Sequence, residues 1–194
     1  GQTLAIIKDA EGKSRLEYPI GKTIHSYSGW MSHPRVSRDG GSVAVMLHPV
    51  RGDDGGLVAV VDRSGKVREL SGTFASIGGL CWSAKGNEIW FAGARVGFNR
   101  YLNAVTLSGR VRSLAEGTGG LAVEDVSKES RTLVIQDKAR QTMVGMPPGG
   151  TKEMELFWLD WGLTAELSDD VKLLLFDESG EGGGSGYSVY IRKL

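Results

Sequence analysis

The chain contains a single cysteine, Cys81, which rules out an internal disulfide and a cysteine-rich zinc site. Charge of one sign is also lacking. Lysine and arginine number 23 and aspartate and glutamate 23, for a formal net charge of zero. A balance of this kind carries no electrostatic footprint for nucleic acid or an anionic membrane surface. No apolar run approaches the roughly 20 residues that a membrane-spanning helix needs, so membrane insertion is not expected. No signal-peptide pattern opens the sequence, and a start at Gly1 rather than Met predicts a processed or trimmed end. No segment sustains a helical period. What the chain does have is glycine, 29 in 194 residues, spread along its length as turn residues would be. Its 40% hydrophobic and 24% charged residues suit a globular domain with a real core.

One pattern recurs. Ser37, Ser83, Ser127 and Ser168 each stand six residues before an apolar run, beginning at Val43, Ile89, Leu133 and Leu174. The serines are 46, 44 and 41 residues apart by subtraction. A second marker keeps the same beat: Gly21, Gly65, Gly109 and Gly150 are spaced 44, 44 and 41. Within one period, 33–70, the reading is a short strand, a turn at Ser37-Arg38-Asp39-Gly40, the buried strand "SVAVML", a loop, the buried strand "LVAVVD", a turn at "RSGK" and the alternating "VREL". Asp and Ser bond their own backbone at turns, Gly closes hairpins with a positive φ, and β-branched residues fill the strands.

Four short antiparallel strands per repeat of about 40–46 residues predict an all-β chain, a β-propeller. Such a sheet hides its apolar faces only against neighbouring sheets. The expected division is a partial blade over 1–29, blades over 30–72, 73–117 and 118–157, and an incomplete one over 158–194. The strands count three, four, four, four and three, in number about four full blades' worth with the partial ones at the ends, which predicts a segment of a larger propeller. The alternative is a small closed ring of five uneven blades. Unpaired terminal edges recruit other chains, so self-association is also expected.

"SHPRVSRDGGSVAV", "GLCWSAKGNEIWFA" and "AELSDDVKLLLF" resemble TolB-like propeller repeats, a branch of the WD-repeat-like propellers. The pieces "HPVRGDD", "WLDW" and "EGGGSGYSVYIRK" are similar to the propeller that follows the kinase domain in some bacterial serine/threonine receptor-like kinases. The resemblance covers residues 29–194. It departs at 83–86 and 127–130, where the turn lacks its aspartate. It implies a sensory or binding module, and a placement outside the membrane if the parent is such a receptor. No kinase motif is present.

The repeat sorts loops onto two faces. The tight turns lie on one. The long, unequal loops 48–56, 93–100 and 177–186 lie on the other, with the links 71–79 and 157–162. Function on a rigid scaffold tends to sit on such loops, and Arg and Trp anchor interfaces. The candidate contact set for a protein or small ligand is therefore Arg51, Asp53, Asp54, Arg95, Phe98, Arg100, Trp158 and Trp161. Trp158 and Trp161 also suit a wedge between adjacent sheets, and Trp82 and Trp90 read as core.

Catalytic patterns fail one by one. "IGKT" at 20–23 lacks the glycine a phosphate loop needs, because position 16 is Leu. Ser185 lacks the following glycine of a nucleophile elbow, Tyr187 standing there instead. His25, His33 and His48 show no metal-ligand spacing, and His33 reads as a strand-edge residue rather than a base. The pairs Asp53-Asp54 and Asp169-Asp170 have no partner that would split their acidities. The expectation is a non-catalytic module with no cofactor and no metal. The alternative is the accessory propeller of a peptidase or other hydrolase whose catalytic residues lie elsewhere.

Overall fold

The computed structural model describes residues 4–97, 99–116, 120–137, 141–146, 149–156, 161–178, 181–184 and 187–194. Its strands run as antiparallel meanders. The first sheet is β1 (Ile6–Ala10), β2 (Lys13–Glu17) and β3 (Thr23–Tyr27). The second is β4 (Trp30–Val36), β5 (Ser42–His48), β6 (Leu57–Asp62) and β7 (Val67–Glu69). The third is β8 (Ser76–Trp82), β9 (Glu88–Ala94), β10 (Tyr101–Thr106) and β11 (Val111–Ala115). Two pairs follow, β12 (Gly120–Val126) with β13 (Thr132–Asp137), and β14 (Val144–Gly145) with β15 (Met154–Glu155). The last sheet is β16 (Gly162–Leu167), β17 (Leu173–Glu178) and β18 (Ser188–Lys193). No helix among the described residues is long and apolar enough to cross a membrane.

The four serines occupy matching corners. At each, the serine amide bonds back across the turn, from Ser37 to Ser42, Ser83 to Glu88, Ser127 to Arg131 and Ser168 to Leu173. Each serine Oγ accepts an amide at the start of the next strand: Ser42, Glu88, Arg131, and Lys172 with Leu173. The fourth residue of every turn is left-handed, Gly40 (φ 69°), Gly86 (71°), Ser130 (63°) and Val171 (55°). The aspartate that two turns lack is an addition rather than the hinge. Asp39 and Asp170 accept from their serine hydroxyls, and at Ser83 the carbonyl of Asn87 takes that part.

Between these corners, apolar side chains pack sheet on sheet. Leu16 and Ile24 of the first sheet meet Val43, Val45 and Val61 of the second. Ala44, Met46 and Val58 of the second meet Leu80, Trp82, Ile89 and Phe91 of the third. Cys81 and Leu102 meet Val123 and Val126 of β12. Trp82 is buried, its indole donating to the Arg35 carbonyl at 2.9 Å, whereas Trp90 is only partly buried. Among the described residues of 118–157, the strands form two pairs, where the sequence predicts one four-stranded sheet. The outer pair is two residues long on each side, and one of the four is Gly145, which brings no side chain to the ladder.

Each inner strand carries one irregularity at the same height. The register slips between Ser32 and Arg35 in β4, Gly78 and Leu80 in β8, Val123 and Asp125 in β12, and Thr164 and Glu166 in β16. These are β-bulges, and they leave His33, Gly79, Glu124 and Ala165 outside the ladder. Three of the strands meet there. The Gly79 amide reaches His33, Arg35 pairs with Glu124 at 3.6 Å, and a Cβ on Gly79 would lie 2.3 Å from the Val123 nitrogen.

Candidate functional site

A cavity of about 450 Å³ opens where loops from four groups of strands converge. The β5–β6 loop supplies Asp53, Asp54 and Gly55; the link into β8 supplies Thr73, Phe74, Ala75 and Ser76. Gly97 and Arg100 come from the β9–β10 loop, Gly120 and Asp137 from β12 and β13, and Trp161, Gly184 and Tyr187 from around the last sheet. The Gly97 amide donates to the Gly184 carbonyl at 3.0 Å and closes the rim between the third and last sheets.

The polar wall is built by short bonds. Asp53 accepts the Gly55 amide at 2.6 Å, a turn in which the side chain mimics backbone. Asp54 accepts the Ser76 hydroxyl at 2.6 Å and pairs with the Arg100 guanidinium at 3.4 Å. Arg100 lies flat over Gly78, where a Cβ would approach its Nη1 to 2.7 Å, so that glycine makes room for the guanidinium. Its buried Nε has no hydrogen-bond partner among the described residues. The Trp161 amide donates to Glu178, which is fully buried beneath the rim. Burial raises the Tyr187 phenol above its usual value, and the carboxylates of Asp53, Asp54 and Asp177 push it further the same way.

Asp53, Asp54, Arg100 and Trp161 thus share one cavity. Two other candidates point elsewhere. Arg51 reaches back to Asp9 and the Gly12 carbonyl, both at 3.4 Å, tying its loop to the β1–β2 hairpin. Arg95 donates to the Thr73 carbonyl at 2.7 Å and stacks its guanidinium 3.8 Å from the Phe74 ring centre. That places it beside a second hollow of about 520 Å³ with Val96, Asn99, Tyr101 and Asn103. Phe98 and Trp158 lie outside the described residues.

Sequence reasoning passed over the support behind the cavity. Trp30 stacks on His48 with ring centres 3.8 Å apart and an 11° tilt, and its indole donates to the Val50 and Asp53 carbonyls. His33 and His48 are joined through Ser32. Ser32 Oγ lies 2.8 Å from both His48 Nε2 and His33 Nδ1. The repeated His-Pro pair at 33–34 and 48–49 was the available signal, flanking one hairpin from both sides. Burial holds both imidazoles below their ordinary value. Cys81 is a buried core side chain, and burial, then the Asp125 carboxylate, push its thiol up to about 12. Among the described residues no group of three or more His, Cys, Asp or Glu side chains is placed to hold a metal ion.

No known family profile matches the sequence, and no curated protein is a detectable relative. Solved structures give the likeness. TolB from Acinetobacter baumannii superposes with a TM-score of 0.56 at 18% identity, covering 97% of this chain and 49% of that one. A putative TolB from Agrobacterium tumefaciens gives 0.53 at 16%, covering 98% and 70%. The chain spans about half the length of the Acinetobacter protein. The recurring corners, the order of the sheets and these likenesses together establish the fold as a TolB-like β-propeller.

Proposed function

We propose that the chain is a non-catalytic binding module that takes a protein segment or small ligand in the cavity between Asp54, Arg100, Trp161 and Tyr187. The observation that carries this is the cavity itself. It joins apolar walls to a few fixed polar groups, as binding sites on rigid scaffolds do. A non-catalytic reading fits the chemistry present. Ser76 donates to a carboxylate, not to a histidine, and the ring nitrogens of His48 are engaged by Ser32 and Gly55. The resemblance to receptor-like kinase propellers adds a finer proposal, a sensory role for a bacterial serine/threonine kinase. A kinase domain and a membrane span encoded upstream of this segment support that; a peptidase encoded downstream counts against it. Self-association through sheet edges belongs to the same reading, motivated by exposed Val189 and Ile191 on the edge strand β18. Sedimentation showing monomer alone at high concentration removes it.

The test is a peptide-array and small-molecule screen against wild type, repeated with Asp54→Ala combined with Trp161→Ala. Every ligand of the cavity is expected to lose at least about tenfold in affinity, the size of one lost charge-assisted bond. Ligands that bind the double variant as tightly as wild type place the binding face elsewhere.

A further inference from the structure

We propose that Ser32, His33 and His48 form a proton-operated latch. With both rings neutral it ties the seam between β4 and β8 to the loop that carries Asp53 and Asp54, and a proton on His33 releases it. The latch regulates the cavity and in that sense rests on the binding reading, but its test needs no ligand.

The hydrogen bonds admit one polarity. The Gly79 amide can only donate, so His33 Nε2, at 3.3 Å, carries no proton. A neutral His33 then has its proton on Nδ1, which donates to Ser32 Oγ at 2.8 Å. The Ser32 hydroxyl is thereby turned to His48 Nε2, also at 2.8 Å. His48 is left with its proton on Nδ1, which donates to the Gly55 carbonyl at 3.0 Å. Four bonds in series run from the third sheet to the cavity rim. Trp30 reinforces the far end, stacked on His48 and bonded to the carbonyls of Val50 and Asp53.

A proton on His33 must go to Nε2, where it faces the Gly79 N–H. Two donors then oppose each other, and the bond is lost. Gly79 has little room to rotate away, because its backbone is packed against that of Val123. The movement falls to His33, which sits in the β4 bulge with a left-handed φ of 53°, a conformation that histidine holds only under outside constraint. A proton on His48 would go to Nε2, where Ser32 can accept it by rotating its hydroxyl. His33 is therefore the sensor and His48 the transmitter. The surrounding charges are mixed: Arg35 and Arg100 oppose a proton on His33 and Glu124 favours it, while Asp53 and Asp54 favour one on His48 and His33 opposes it. Burial lowers both, so the latch opens on the acid side of the ordinary imidazole range.

The experiment is NMR on the ligand-free chain, recording histidine ring nitrogens and amide-exchange protection between about pH 7.5 and about pH 5. At the upper end His33 should show the Nδ1–H tautomer. On acidification the amides of Gly79, Gly55 and Gly56, bonded to His33, Asp53 and Phe74, should lose protection together, by about tenfold, in step with the His33 ring. In Ser32→Ala, Gly79 should respond and the loop should not. In His33→Asn, which tolerates the left-handed backbone, neither should respond. The proposal is overturned by the Nε2–H tautomer at neutral pH, by a His33 ring that stays neutral throughout, or by a wild-type loop that does not move with it. It is equally overturned if the loop responds in Ser32→Ala as in wild type. A failed ligand screen leaves these results standing, and a failed latch leaves the effect of Asp54→Ala on binding standing.

Discussion

The second and third sheets and the strands from β12 onward are written in the same local code and end in different packing. β5 is buried at six of its seven positions and β8 at all seven, whereas β13 and β16 are exposed along most of their length. Leu133 is 62% exposed and Ile191 72%, while Phe91 and Leu80 are fully buried. The corners are built alike: Ser127 and Ser168 bond across the turn as Ser37 and Ser83 do, at Ser127 one residue sooner. Hydrogen bonding at a turn therefore shapes the hairpin but does not bury it. Burial comes only from a neighbour with a matching apolar face, and the second and third sheets have neighbours on both sides.

Three measurements sharpen or break that contrast. The largest effect is expected from paired truncations. Phe91→Ala should cost about 3–5 kcal/mol, and Leu133→Ala less than about 0.5 kcal/mol, in urea unfolding. Similar losses would mean that β13 is covered in solution. Next, Val171→Gly should stabilise by about 0.5–1 kcal/mol, since a β-branched residue is strained at φ 55° where Gly40 and Gly86 are at ease. A loss of stability there would show that the turns are not equivalent. The smallest effect is acid sensitivity. His33 and His48 both lie in the β4–β5 hairpin, and burial lowers both below the ordinary imidazole value of 6.5. The unfolded chain binds protons first, so their contribution is whole above about pH 6.5 and is lost as pH falls from there through the folded values. Urea midpoints of His33→Asn should fall less steeply over that window than those of wild type, and equal slopes would remove His33 from the account.

The fold was legible because its markers are local. A serine whose hydroxyl caps the next strand, and a glycine that supplies a positive φ, leave a signature within six residues. Ser130 and Val171 obscure it, because the repeat imposes the left-handed corner on residues that do not favour it. The site was legible only by face. Loop order brought Asp53, Asp54, Arg100 and Trp161 to notice, but it does not say where a side chain turns. Arg51 is drawn off by Asp9, and Arg95 by the Thr73 carbonyl and the Phe74 ring. The histidine chain was legible only as a repeated His-Pro pair, without its contacts. It depends on Ser32 facing Met46 while Arg35 faces Ala44, a register slip that no residue pattern announces.

The slips at His33, Gly79, Glu124 and Ala165 have an engineering consequence. Each adds a residue that owes nothing to the strand pairing, and three of the strands that carry them come together at one seam. An imidazole, a bare backbone, a carboxylate and a methyl group already occupy these four sockets. Three of these sockets can therefore take another side chain, one at a time, while the ladders stay as they are; at Gly79 a Cβ would collide with the Val123 backbone.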